Sequence, residues 1–210
     1  MLIVEFKTLP STQSYLLNEI KQGKIREQKC ICTRIQSAGL GSRGNTWDGD
    51  DIGLYFSFCI YKNNLPSDLK LQSVSIFFGF IIKETLNLFG SAAWLKWPND
   101  IYLGDNKIGG VMCNVDKEFV ICGIGLNIKS SKFCNVESGV ITNNRLFLNK
   151  FFDLVFKYSW TEVFKKYSLE FDKSKKFMFH HDEKKVSLLD SKLLEDGSIL
   201  INNDILYCNR

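Results

Sequence analysis

The stretch "KWPNDIYLGDNKIGG" carries two lysines and an aspartate, Lys96, Asp100 and Lys107. A lysine ammonium is a compact cation that can hold a carboxylate or a phosphate. An aspartate between two of them can order both. Pro98, Asn99 and Asp100 favour turns, so this corner can bend the chain and aim two cations at one place. If residues 94–97 and 107–112 are adjacent strands, Lys96 and Lys107 flank one mouth with Asp100 between them. Such a group can hold a small carboxylate and the phosphates of a nucleotide together. The plainer reading leaves the lysines in solvent and makes Asn99-Asp100 a simple turn.

Two further stretches could bind ligands. In "AGLGSRGNTW" (38–47), Gly39, Gly41 and Gly44 let the backbone approach a ligand and present N–H groups. Arg43 can clamp an anion in a fork, and Trp47 offers a flat apolar face. The spacing G-x-G-x-x-G is not a dinucleotide fingerprint here, because a strand and not a helix follows. The alternative is a long hairpin loop. In "GIGLN" (123–127), Gly123 and Gly125 weaken an otherwise apolar strand, so either something packs closely there or the strand bulges. Asn127 can read a ring edge with two donors and an acceptor.

The elements that must position these residues read as a mixture. Strands are expected at 2–6, 30–36 and 53–61; in the last, Leu54, Phe56, Phe58 and Ile60 alternate onto one face. A first helix follows Ser11 or Thr12 as N-cap and stops at Gly23. A long helix is expected over 69–88, with Val74, Phe77, Phe78, Ile81, Ile82 and Leu86 at three- and four-residue steps and Gly90 at its end. Three strands then span 94–128, with turns at 104–106 and 116–117, and a helical pattern runs over 147–170. Residues 171–210 change to short strand-like pieces around the turn "EDGS". The whole predicts an α+β fold: a mostly antiparallel sheet with helices on one side, and a β appendage too small to be stable alone.

The 210 residues suit one domain with room for a small second one. With 45% hydrophobic and 13% aromatic residues the chain can build a packed core, which argues against disorder. The net charge of +4, from 27 basic and 23 acidic residues, does not point to a dedicated nucleic-acid binder. Seven cysteines, Cys30, Cys32, Cys59, Cys113, Cys122, Cys134 and Cys208, include no CxxC pair, and the only histidines are His180 and His181. Reduced, mostly buried thiols are expected, and no metal ligands can be assigned. The start "MLIVEFKTLP" has no signal-peptide pattern, and no apolar run approaches the roughly 20 residues of a membrane span. A cytoplasmic protein without a membrane partner is expected.

Taken together and in order, "GLGSRGNTW", "KWPNDIYLGDNKIGG" and "GIGLN", with "PSTQ" near the start, resemble the biotin protein ligases. The resemblance covers roughly residues 3–130, and "LEDGSILI" resembles that family's SH3-like C-terminal unit. It implies a mixed, largely antiparallel sheet with helices packed on it, of the class II aminoacyl-tRNA synthetase and biotin ligase kind, plus a small C-terminal SH3-like β-barrel. The implied division is a catalytic biotin/ATP-binding domain over 1–170 and a small β domain over 171–210.

The implied reaction activates biotin with ATP as biotinyl-5′-AMP. The biotinyl group then passes to a lysine of the biotin carboxyl carrier protein of acetyl-CoA carboxylase or a related carboxylase. Ser11, Thr12, Gln36 and Gly39 resemble the biotin head-group shell, with Gly110 in the wall. Lys107 resembles the lysine at the biotin carboxylate and activated phosphate. Gly41, Arg43, Trp47, Lys96, Asn99 and Asn127 resemble ATP/AMP-binding positions. Lys107, Arg43 and Asp100 are implied to be catalytic, with Mg²⁺ as the nucleotide's ion. Leu40 and Ser42 depart from the family, which has arginine at both places, so Arg43 is expected to carry more of the anion binding. Ten residues precede Ser11, so no N-terminal DNA-binding domain and no DNA partner are expected. The alternatives are a lipoate–protein ligase and a non-enzymatic biotin-sensing module.

Overall fold

The computed structural model describes residues 1–41, 45–47, 52–181 and 184–207. A seven-stranded sheet has the order β1-β2-β5-β9-β8-β7-β6. Its strands are β1 (Leu2–Phe6), β2 (Lys29–Thr33), β5 (Ile52–Tyr61), β6 (Trp94–Lys96), β7 (Asp100–Leu103), β8 (Asn106–Val115) and β9 (Phe119–Lys129). β1 and β2 run parallel; every other neighbouring pair is antiparallel. A short ribbon, β3 (Gly39–Leu40) with β4 (Thr46–Trp47), stands apart from the sheet.

The period of two along each strand sorts the sheet into two faces. On one, Cys30, Cys32, Phe56, Phe58, Ile60, Val120, Cys122 and Ile124 join a core shared with helices α2 (Val74–Leu88), α3 (Asn144–Val155) and α4 (Trp160–Glu170). Phe58 is typical of it, meeting Phe78, Phe151 and Phe152 edge-on at 5.0, 5.5 and 5.2 Å. Truncating such a side chain to alanine costs about 3–5 kcal/mol. On the opposite face Ile31, Cys59, Phe119 and Ile121 pack with Leu16 of α1 (Thr12–Lys21). The helices therefore cover both faces, and the expectation of helices on one side is corrected. The apolar alternation of β5 showed one face; the other is apolar only where α1 covers it. At the N-terminus of α1, Ser57, Gly123 and Gly125 replace apolar residues on that face, and a cavity opens.

Two expected elements also divide. The helical pattern over 147–170 is two helices, because Ser159 and Glu162 form a capping box that starts α4 afresh. Asp68 reinforces the new N-terminus by accepting from the Trp160 and Thr161 N–H groups at 3.0 and 2.9 Å. The three strands over 94–128 are four, since the Pro98 corner separates β6 from β7. Consequently 94–97 and 107–112 are not adjacent: β7 lies between β6 and β8.

Beyond α4, a 3₁₀ turn (Phe171–Lys176) leads into two small sheets. One is β10 (Met178–His181) with β11 (Lys184–Ser187); the other is β12 (Lys192–Leu193), β13 (Ile199–Ile201) and β14 (Asp204–Leu206). Phe171, Phe179, Leu188 and Ile199 from this region are buried in the same core as the large sheet. The six described cysteines are free, and burial pushes the Cys32 thiol up to about 12, which keeps it protonated. No helix among the described residues is long and apolar enough to cross a membrane.

Candidate active site

The cavity is built from the N-terminus of α1, the β3–β4 ribbon and the α1-side face of β5, β8 and β9. Ser11 caps α1, its Oγ accepting from the Ser14 N–H at 3.3 Å. The chain before the helix is tied to the segment after β2 by Leu9 N–H to Ile35 O and Ala38 N–H to Pro10 O. That tie sets Gln36 against the first turn. Its Oε1 accepts from the Thr12 N–H at 2.7 Å and the Thr12 hydroxyl at 3.0 Å, and Thr12 Oγ1 meets Ser57 Oγ at 2.9 Å. A helix start leaves N–H groups without partners; here a buried side chain takes one and turns the rest of a polar, uncharged shell toward the cavity.

The charged part lies at the mouth. Asp100 opens β7 directly across from Gly110 of β8 and Lys96 of β6. A β-bulge between β7 and β8 lets Ile108 and Val111, three residues apart, both reach the core. The same irregularity turns Lys107 and Gly110 together onto the cavity side. Lys107 Nζ reaches Asp100 Oδ1 at 2.6 Å, and Lys96 Nζ reaches Asp100 Oδ2 at 3.3 Å. Asn99 staples the corner to β8 through Val111 N–H to Asn99 O at 2.9 Å and Asn99 Nδ2–H to Val111 O at 2.6 Å. Burial, followed by the charge of Asp100, pushes the Tyr102 hydroxyl up to about 12, so it stays neutral beside the corner.

Trp47 closes the upper side. A Cβ on Gly110 or Gly125 would stand 3.3 and 3.0 Å from its ring, so the two cross-strand glycines form the bed on which the indole lies. Lys107 Nζ sits 5.4 Å from the same ring. Gly123 plays the same part for Gln13, whose Oε1 would be 2.7 Å from an added Cβ. The register of β5, β8 and β9 is unbroken at both glycines, so close approach and not a bulge accounts for them.

Of the residues singled out by sequence, Ser11, Thr12, Gln36, Gly41, Trp47, Asn99, Asp100, Lys107 and Gly110 line the cavity together. Gly39 stands just behind Gln36, where a Cβ would come within 2.9 Å of its Nε2. Two others stand apart from the wall. Lys96 is 4% exposed and lies behind Asp100. Asn127 donates to Cys134 O at 3.2 Å and accepts from Val136 N–H through its backbone. Arg43 lies outside the described residues.

The sequence reading passed over Gln13, Tyr55 and Ser57, which also line the cavity. Ser57 had a signal: one hydroxyl between Phe56 and Phe58, in a strand otherwise apolar on both sides. Gln13 donates to Asn114 Oδ1 at 3.0 Å, while its buried Oε1 has no partner among the described residues; nor has the buried Nε1 of Trp47. Buried polar atoms are rarely left unpaired, so the cavity wall offers one acceptor and one donor that water or a ligand can engage. Among the described residues no three His, Cys, Asp or Glu side chains are grouped to hold a metal.

Known proteins are similar to this chain. The Bifunctional ligase/repressor BirA of Salmonella typhimurium is 29% identical over 149 residues, 68% of this chain and 44% of that protein. The Biotin--[acetyl-CoA-carboxylase] ligase of Mycobacterium tuberculosis is 24% identical over 125 residues, 56% of this chain and 46% of that protein. The chain thus spans about half the length of the curated relatives it matches. Among solved structures, the biotin acetyl coenzyme A carboxylase synthetase of Helicobacter pylori, with bound biotinylated ATP, superposes with a TM-score of 0.94 at 43% identity over 98% of each chain. The biotin protein ligase of Aquifex aeolicus, in complex with biotin and ATP, shares the fold, with a TM-score of 0.74 at 23% identity over 98% of this chain and 94% of that one. The profile of the Biotin/lipoate A/B protein ligase family matches residues 5–127, which run from β1 to β9 and hold every side chain of the cavity, and the chain belongs to that family.

Proposed function

We propose that the protein is an ATP-dependent biotin–protein ligase, which forms biotinyl-5′-AMP and transfers the biotinyl group to a lysine of the biotin carboxyl carrier protein of acetyl-CoA carboxylase or a related carboxylase. One observation carries the reading: the cavity is polar and uncharged at its inner end and carries the Lys107–Asp100 ion pair at its mouth, with the buried Lys96 also on Asp100. Biotin has the matching polarity, a neutral ureido head with donors and an acceptor at one end and a carboxylate at the other. Lipoate has the carboxylate but an apolar dithiolane head, which would offer the buried Gln13 Oε1 no donor, at a cost of roughly 1–3 kcal/mol. The names and bound ligands of the relatives agree with the biotin reading.

In the first step a biotin carboxylate oxygen attacks the α-phosphorus of ATP, and the bond to the β-phosphate oxygen breaks to release pyrophosphate. Two anions must meet, and Lys107 is placed to neutralise both at the new carboxyl–phosphate junction. In the second step the acceptor lysine's amine attacks the acyl carbon and AMP leaves, with Asp100 placed to receive the amine's proton. Ser11, Thr12, Gln36 and Gly39 hold the head group, with Gly110 in the wall. Gly41, Trp47, Asn99 and Asn127 serve the nucleotide, and Arg43 clamps its phosphate. Lys96 serves the same junction through Asp100. Mg²⁺ would arrive with the nucleotide and offset phosphate charge; Asp100 is the one carboxylate among the described lining residues that could share it. Catalysis is thus assigned to 1–170, with 171–210 as a small β unit seated on it.

Pyrophosphate release tests the reading. It is expected to require both biotin and ATP and to be faster with biotin than with lipoate. Binding of biotin without pyrophosphate release would favour the sensing module.

A further inference from the structure

Behind the mouth, the C-terminal segment meets the Trp97 corner at several points, among them Phe179, edge-on to the Trp97 ring at 4.8 Å. The Trp97 backbone N–H donates to Ser174 Oγ at 3.1 Å, and its indole N–H donates to Gly197 O at 2.9 Å. Trp97 and Ser174 are fully enclosed. A further point is Phe177, whose ring lies edge-on to Tyr102 at 5.1 Å, tilted against Trp94 at 5.7 Å, and 5.9 Å from Lys96 Nζ. The Tyr102 ring is 5.4 Å from the same ammonium. Lys96 therefore sits in an enclosure of two aromatic faces and one carboxylate. A buried cation needs a countercharge and polarisable neighbours, and Asp100, Tyr102 and Phe177 supply them.

The two lysines on Asp100 are unequal. The Lys96 side chain is 6% exposed and the Lys107 side chain 43%. One is confined; the other stands at the mouth, where an anionic ligand arrives. If Lys107 turns to that ligand, Asp100 still has a cation beside it only because Lys96 stays where it is.

We propose that Ser174 and Phe177 are positioning residues, which hold Lys96 and the Trp97 corner so that Lys96 remains on Asp100 when Lys107 leaves that carboxylate for the ligand. The inference rests on the ligase reading and extends its machinery past residue 127, where the family match stops. Without the brace, Lys96 shifts, Asp100 retains Lys107, and the carboxyl–phosphate junction loses its cation in the transition state. The loss falls on kcat more than on KM.

The test uses the full chain and measures biotin-dependent pyrophosphate release alongside Tm. Phe177→Leu keeps an apolar side chain without the aromatic face, and Phe177→Tyr keeps the face. Ile199→Val, buried in the same segment on β13, controls for looser packing. Phe177→Leu is expected to lower kcat by about three- to thirtyfold, the range of a cation–π contact, with KM values moved less. Phe177→Tyr should restore kcat, and Ile199→Val should lower Tm at wild-type kcat. In a Lys96→Met background, adding Phe177→Leu should cost no further kcat. Ser174→Ala, which unpairs the Trp97 N–H, should reproduce the kcat loss should Phe177→Leu fail to fold. Wild-type kcat in both Phe177→Leu and Ser174→Ala, or a full additive loss in the Lys96→Met background, would overturn the proposal. A wild-type protein without biotin-dependent pyrophosphate release would instead overturn the ligase reading beneath it.

Discussion

Lys107 Nζ lies 2.6 Å from Asp100 Oδ1, although the two residues come from different strands and the bulge between those strands is what brings them level. The contact places a half-exposed cation on a protein carboxylate at the cavity mouth, where a ligand carboxylate would compete for it. Losing that cation should affect chemistry and spare the fold. Lys107→Ala is expected to slow biotinyl-AMP formation by about 10²–10³, as for other preorganised charges. Tm should stay close to wild type, since the side chain is exposed and Asp100 keeps Lys96. Pyrophosphate release and thermal melting on one preparation check both halves.

Gly123 and Gly125 predict opposite ligand effects from neighbouring positions. A methyl at 123 would displace Gln13 from the inner shell, and one at 125 would press on Trp47. Gly123→Ala should raise the KM for biotin more than that for ATP, and Gly125→Ala the reverse. Overpacking costs about 1–3 kcal/mol, or roughly five- to over a hundredfold in affinity. Titrating each substrate against both variants gives the comparison.

Arg43 is expected to hold the Gly-rich loop against the phosphate of biotinyl-AMP, since no other cation stands in "GLGSRGNTW". A charge-assisted hydrogen bond is worth about 1.5–3 kcal/mol, so Arg43→Ala should speed biotinyl-AMP release by roughly ten- to over a hundredfold. Stopped-flow tryptophan fluorescence, with Trp47 as reporter, checks this; an unchanged rate would assign the holding to the glycine backbone.

Asp196 gives a pH prediction for the tail. Burial raises its carboxyl, but hydrogen bonds from Ser198 and then Gln72 outweigh that and hold it below 3.8. A depressed folded value means that its stabilisation is present above the unfolded carboxylate value and is lost as pH falls through the folded one. Asp196→Asn should therefore lower Tm near neutrality, and the gap to wild type should close below about pH 4. Melting curves from pH 7 to 2.5 would show it; a gap that widens in acid would contradict it.

Much of the site was legible because its chemistry is local. Ser11 and Thr12 announce a helix start, and the Asp100 and Lys107 types fix the mouth. The glycines of β9 left close approach and a bulge both open, and the close approach is the one found, supplied by Trp47 and Gln13. What could not be read depends on strand order. Lys96 stands behind Asp100 because β7 inserts between β6 and β8, an order that no spacing along the chain reveals. Ser174 and Phe177 were unreadable for the same reason: they reach the corner from far along the chain. The side of α1 was missed because the apolar cluster beneath it is assembled from single residues of several strands, Ile31, Cys59 and Ile121 among them.

The most direct test of the central claim is a competition for adenylation. Purified protein is supplied with ATP, Mg²⁺ and equal concentrations of biotin and lipoate, and the two acyl-adenylates are separated and counted. A polar inner shell on Thr12, Gln13, Gln36 and Ser57 with a cationic mouth at Lys107 predicts biotinyl-AMP in large excess. Equal amounts, or an excess of lipoyl-AMP, would contradict the account.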